Sequence, residues 1–192
     1  FHWGPSPGVD LFIRTDTHLY RSSLGAQGLD VILVQVDGLQ IPVEQIHDFE
    51  VSPDPAGVML VSVTVGERVR VLRSEDAGAT WADVALLPEP SVTLLFNPTG
   101  QEVLAAGTQG GRWRSEDGAQ TFVEDGLGPV GVKCLRRGNV GEIVGCSNPN
   151  NEGPWVIGRS DDFGRLWEPL LERFEDTVHR KDCSRTGRTY LC

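Results

Sequence analysis

The sequence predicts an all-β chain: a row of four-stranded antiparallel sheets, one for each repeat of about forty residues, with no helix of useful length. Three observations carry this. An octet occurs three times, as Ser74-Glu75-Asp76-Ala77-Gly78-Ala79-Thr80-Trp81, Ser115-Glu116-Asp117-Gly118-Ala119-Gln120-Thr121-Phe122 and Ser160-Asp161-Asp162-Phe163-Gly164-Arg165-Leu166-Trp167. The opening serines stand 41 and 45 residues apart. The flanks repeat with the octet: an apolar strand, a turn, a second apolar strand, a loop, a third strand ending in Arg-Ser, the octet, and a short outer strand.

The second unit, residues 43–86, predicts strands at 46–52, 58–64, 68–74 and 81–84. The third, 90–125, predicts them at 92–96, 102–106, 111–115 and 122–124; the fourth, 129–171, at 130–135, 142–146, 155–160 and 167–170. Clusters such as Pro53-Asp54-Pro55-Ala56-Gly57, Asn97-Pro98-Thr99-Gly100 and Arg137-Gly138-Asn139 separate them, and these residue types punctuate strands. Residues 167–178 have some helical spacing, but Pro169 favours a strand and connector. Four strands in a unit of about forty residues are the signature of propeller blades.

The ends are less regular. The first unit, 9–36, shows a second strand at 11–14, a third at 18–22 and an outer one at 31–36, with its first strand missing. A degenerate octet lies at Ser22, where Leu24 takes the aspartate position. At the other end, within 176–192, residues 177–183 read as a first strand and 189–192 as a second. The second position is therefore filled twice, which predicts a partial propeller, three full blades with partial blades at both ends. A four-bladed ring closed by the termini is the alternative.

The pattern Ser/Thr-x-Asp-x-Gly-x-x-Trp/Phe resembles the Asp-box, or BNR repeat, of sialidases, sortilin-type receptors, some glucanases and photosystem II assembly factors. Ser74, Asp76, Gly78 and Trp81 fit it, as do Ser160, Asp162, Gly164 and Trp167. Ser115, Asp117 and Phe122 form a copy that departs at Ala119. The aspartate should accept backbone N–H groups of its own turn, the glycine should supply a positive φ, and the aromatic should bury between blades, worth about 2–3 kcal/mol each. The resemblance places this box on the outer rim, which leaves Asp76, Asp117 and Asp162 a structural role rather than a catalytic or metal-binding one.

The chain has 192 residues, 39% of them hydrophobic, enough for a sizeable core. Its 17 basic and 27 acidic residues give a net charge of -10, which disfavours nucleic-acid and anionic-membrane partners. No apolar run approaches the roughly 20 residues of a membrane span. The chain begins at Phe1 and shows no signal-peptide pattern, so any such segment is expected upstream. Cys134 and Cys146 flank one Gly-containing turn and Cys183 and Cys192 another, without CxxC spacing. Disulfides are expected, the pairing is open among three connectivities, and the implied location is secreted, periplasmic or cell-surface.

No motif for a cofactor or metal stands out: His2, His18, His47 and His179 are scattered, and phosphate loops, Rossmann fingerprints and nucleophile elbows are missing. A sialidase needs three convergent arginines and a tyrosine–glutamate pair. Arg21, Arg73, Arg114 and Arg159 instead recur at one place in each unit, directly before the serine, as structural residues do. If strands run outward from the axis, loops joining second to third strands share a face with the connectors between units. That face would carry Asp16, His18, Glu67 and the polar loop Asn148, Asn150, Asn151 and Glu152, the expected ligand-binding set. The expected function is a non-enzymatic binding or scaffold propeller for a protein or carbohydrate. The alternative is a glycoside hydrolase, sialidase-like or glucanase-like, with part of its site outside this segment.

Overall fold

The computed structural model describes residues 2–3, 11–14, 19–22, 30–32, 35–36, 39–40, 46–54, 57–126, 131–138, 141–147 and 155–172. Every regular element among them is a strand. In chain order these are β1 (His2–Trp3), β2 (Leu11–Arg14), β3 (Leu19–Ser22), β4 (Asp30–Ile32), β5 (Gln35–Val36), β6 (Leu39–Gln40), β7 (Ile46–Val51), β8 (Met59–Val65) and β9 (Arg68–Ser74). Then follow β10 (Ala82–Leu87), β11 (Val92–Phe96), β12 (Val103–Gly107), β13 (Arg112–Ser115), β14 (Val123–Glu124), β15 (Val132–Arg137), β16 (Ile143–Ser147), β17 (Ile157–Ser160) and β18 (Glu168–Leu171).

Sixteen of these strands form four antiparallel sheets, each a meander in sequence order: β1 to β4, β7 to β10, β11 to β14 and β15 to β18. The first strands β7, β11 and β15 lie side by side, so each sheet runs outward from a common axis. The core sits between sheets. Phe12, Leu19 and Ile32 of the first sheet pack on Phe49, Val61, Leu72 and Trp81 of the second. Leu60, Val71 and Leu87 of the second meet Leu94, Phe96, Val103 and Trp113 of the third. Leu95, Leu104 and Ala106 of the third meet Val132, Leu135 and Ile143 of the fourth. Successive residues of β12 alternate between the two neighbours, and all five are buried. A strand covered on both faces reads as a continuous apolar run, as Val103-Leu104-Ala105-Ala106 does.

The predicted four-stranded antiparallel sheets are present, and three differences in their strands stand out. The first sheet is not short of its first strand: His2 and Trp3 pair with Phe12 and Leu11, so this sheet takes all four strands from its own stretch of chain. Its described outer strand is Asp30–Ile32, and Gln35–Val36 pairs antiparallel with Leu39–Gln40 in a separate two-stranded sheet. In the second sheet the outer strand starts after Trp81 and extends to Leu87, with a bulge between Asp83 and Ala85. Trp81 lies just before the strand, its indole N–H donating to the carbonyl of Gly78 at 3.1 Å.

Cys134 and Cys146 face each other across β15 and β16 and are joined by a disulfide, with Cα atoms 5.0 Å apart. Cys183 and Cys192 lie outside the described residues, as do residues 176–192 of the last predicted unit. Among the described residues no helix is long and apolar enough to cross a membrane.

Candidate functional site

The octets build the connection from third to fourth strand in sheets two, three and four. In each, the serine hydroxyl accepts the amide of the fifth residue, Gly78, Ala119 or Gly164, at 2.8 Å. The same hydroxyl donates to the aspartate Oδ1, at 2.8, 2.8 and 2.7 Å. That carboxylate also takes the amide of the seventh residue, Thr80, Thr121 or Leu166. The fourth and fifth residues both have positive φ: 56° and 89° at Ala77 and Gly78, 71° and 67° at Gly118 and Ala119, 57° and 83° at Phe163 and Gly164. A Cβ at Gly78 would stand 2.8 Å from Ile32 Cγ2, and one at Gly164 would stand 2.7 Å from Leu104 Cδ2. The fifth residue is thus wedged against the preceding sheet. Ala119 is fully buried there, its methyl inside the second cluster of core residues.

These bonds fix the charge state of the aspartates. The Thr80 hydroxyl and amide hold Asp76 below the usual carboxylate range. Desolvation is the largest influence on Asp117 and pushes upward, yet Thr121, Ser115 and Gln120 together bring it down to about 2. Asp162 is likewise lowered, the amides of Leu166 and Arg165 and the Ser160 hydroxyl outweighing desolvation. A general acid needs a pKa near the working pH, and a metal ligand needs free lone pairs. These carboxylates lack the first, and in all three Oδ1 already accepts two or more hydrogen bonds within its own turn.

In the second and third sheets the arginine before the serine reaches across to the next sheet. Arg73 Nε donates to the carbonyl of Gly118 at 2.8 Å, and Arg114 Nη1 donates to the carbonyl of Phe163 at 3.1 Å. Both acceptors are the fourth residue of the following octet. Arg114 is also held by Asp125, Nη2 to Oδ2 at 2.9 Å, and by Glu102 at 3.4 Å. Arg112, buried beside it, donates to Gly164 O at 3.0 Å. Outside this cluster, a rim cleft of about 550 Å³ opens between Arg114, Asp117, Val123, Glu124 and Arg165. Its cations are already paired, Arg165 to Glu102 at 2.6 Å. Among the described residues no group of three or more His, Cys, Asp or Glu side chains could hold a metal ion.

On the opposite side, connectors and second-to-third-strand turns do share one face. Glu89, in the Pro88-Glu89-Pro90 connector, is buried, and its carboxylate accepts the amides of Gln109 and Gly111 at 2.8 and 2.7 Å. Thr64, at the end of β8, donates to Pro90 O at 3.2 Å and also bonds the His47 ring. Glu67 stands exposed at the tip of the β8–β9 turn. Of the predicted ligand-binding residues, Asp16, His18, Asn148, Asn150, Asn151 and Glu152 lie outside the described residues.

Near the axis stands a pair the sequence did not single out. Asp48 Oδ2 accepts the Thr93 hydroxyl at 2.7 Å and the Leu94 amide at 2.8 Å, joining β7 to β11. Two residues on, Glu50 is 3% exposed. Burial first, then the Asp48 carboxylate, push its pKa from 4.5 to about 8, against the pull of Arg136 and Arg137. Glu50 is thus withdrawn from solvent. Its one sequence signal is a charge inside the apolar run Phe49-Glu50-Val51.

Four radial sheets whose first strands crowd one axis define a β-propeller. No family model matches the chain, and no curated protein matches it. Solved structures do. The chain is similar to a GH74 enzyme from Niastella koreensis, with 16% identity and a TM-score of 0.60 over 85% of this chain and 28% of that one. It is similar to a GH74 xyloglucanase from Xanthomonas campestris, with 20% identity and a TM-score of 0.59 over 87% and 29%. It is also similar to YCF48 bound to a D1 peptide, with 16% identity and a TM-score of 0.51 over 88% and 50%. The chain spans less than a third of the two GH74 enzymes and half of YCF48. At these identities the likeness shows the fold alone.

Proposed function

We propose that this chain belongs to an Asp-box propeller that acts as a binding or scaffold module, taking a protein segment on the face that carries the connectors and the second-to-third-strand turns. One observation carries the reading. The repeated polar residues are consumed by the fold: the octet aspartates by their own turns, Arg73 and Arg114 by the next sheet, Glu89 by the turn it clamps. Glu67 and the loop with Asn148, Asn150, Asn151 and Glu152, joined by Asp16 and His18, are the proposed contact residues. The likeness to a structure with a bound peptide supports a protein partner; a carbohydrate partner is the second choice. The Cys134–Cys146 disulfide supports an exported protein.

The rival reading, glycoside hydrolysis, is favoured by two carboxylates close together on β7, one of which, Glu50, has its pKa raised to about 8, as that of an acid catalyst would be. Against it stands the burial of Glu50. The test is a peptide and glycan array run beside a hydrolysis screen. Peptide binding that weakens when Asn150 and Asn151 become alanine supports the module. Turnover that disappears in Glu50→Gln or Asp48→Asn overturns it.

A further inference from the structure

The junction of the second and third sheets and that of the third and fourth have the same construction. Ser74, Ser115 and Ser160 pair with Met59, Val103 and Ile143, which puts the last three sheets in one register. On the side of the third sheet that meets the fourth, Thr93, Leu95, Leu104, Ala106, Arg112 and Arg114 are all buried. By that register their counterparts on the fourth sheet are Cys134, Arg136, Val144, Cys146, Ile157 and Arg159. None of these six is buried, whereas Val132, Leu135 and Ile143, which point back to the third sheet, are. The arginines show the contrast most directly. Arg73 and Arg114, docked on the next octet, have side chains 12% and 9% exposed. Arg159 is 44% exposed and folds back on Asp161, 2.6 Å away.

From this we infer that the outer face of the fourth sheet is a docking face for a further sheet of the same build. Arg159 is its cross-sheet donor, and it takes the backbone carbonyl of the fourth octet residue of the incoming sheet. Val144, the counterpart of Leu104, receives the small fifth residue of that octet, as Leu104 receives Gly164. Ile157 and the disulfide supply the apolar centre. The Asp161 contact is a surface ion pair, which holds a side chain weakly enough to be exchanged.

The protein as isolated from its source decides this by arginine footprinting with a dicarbonyl reagent, read by mass spectrometry. Arg159 should be modified about tenfold more slowly than the exposed Arg68, and as slowly as Arg114. In the 192-residue chain alone, Arg159 should react as fast as Arg68. Arg159→Ala should lower the Tm of the isolated protein about as much as Arg114→Ala does and shift that of the 192-residue chain by no more than about 1 °C. An Arg159 as reactive as Arg68 in the isolated protein overturns the inference. Protection that fades on dilution, with a native mass of two chains, assigns the face to a second copy and overturns it equally.

Discussion

Gly111 donates its amide to Glu89 Oε1 at 2.7 Å, and a Cβ at the same glycine would stand 2.8 Å from that oxygen and closer still to the Trp113 ring. The carboxylate also takes the amide of Gln109, so one buried side chain from a connector closes the β12–β13 turn 20 residues further on. Glu89→Ala should leave two amides without acceptors and cost about 2–4 kcal/mol, while Glu89→Gln, with one acceptor oxygen, should cost about half as much. Urea denaturation supplies the energies. Amide exchange at Gln109 and Gly111 locates the damage, and a loss spread evenly over the chain would count against a local clamp.

The octets yield a contrast within one motif. Gly78→Ala should destabilise by about 2–3 kcal/mol, because its φ of 89° disfavours a side chain and the new methyl would meet Ile32. Ala119→Gly, at the equivalent position, removes a left-handed alanine but also a fully buried methyl. The two effects, each about 1 kcal/mol, should nearly cancel. Thermal melts of both variants check the pair, and a large loss at position 119 would mean that its methyl outweighs its backbone.

Much of this was legible beforehand. Ser74, Ser115 and Ser160 at blade spacing, with apolar flanks, set the number and order of strands, since each octet bonds within eight residues and needs no distant partner. The aspartates could be given a structural role for the same reason. His2–Trp3 escaped notice because two residues carry no periodicity, and the Gln35–Val36 hairpin because its strands are as short. Glu89, Asp48 and Glu50 were missed for another cause. Their partners lie 20 or more residues away or depend on burial, and single-sequence patterns report neither. Pro88 and Pro90, which hold the connector extended around Glu89, were the nearest thing to a mark. Polarity and topology alone single out the proposed contact loop, and the bonds of Thr64 to Pro90 and of Gln109 to Glu89 bring a connector against the second-to-third-strand turns beside it in the chain.

Asp117 gives the fold an acid limit. Its carboxyl titrates at about 2 in the folded chain against a usual 3.8. A depressed folded pKa stabilises above the unfolded value and is lost as pH falls through the folded one. The contribution should therefore be complete above about pH 4 and vanish towards pH 2, and for a half-buried side chain it should amount to about 1–2 kcal/mol. Asp117→Asn should remove it at pH 7 and change little at pH 2. Equal losses at both pH values would show that the side chain matters for packing alone.

Glu50 acts in the opposite sense. Its folded pKa of about 8 lies above the usual 4.5, so between those values the folded chain keeps a proton that the unfolded chain has released. More protons bound in the folded state means that stability falls as pH rises, by up to about 1.4 kcal/mol per unit. The loss begins near pH 4.5 and levels off once pH passes about 8, where the folded carboxyl also ionises between Asp48, Arg136 and Arg137. Glu50→Gln copies the neutral acid in shape and stays uncharged at every pH. It should match the parent protein at pH 4 within about 0.5 kcal/mol, exceed it by about 1–3 kcal/mol at pH 8, and flatten the slope between. Denaturation midpoints at pH 4, 6 and 8 test this. A glutamine variant weaker than the parent at pH 8 would mean that Glu50 is ionised in place, held by the two arginines against its burial.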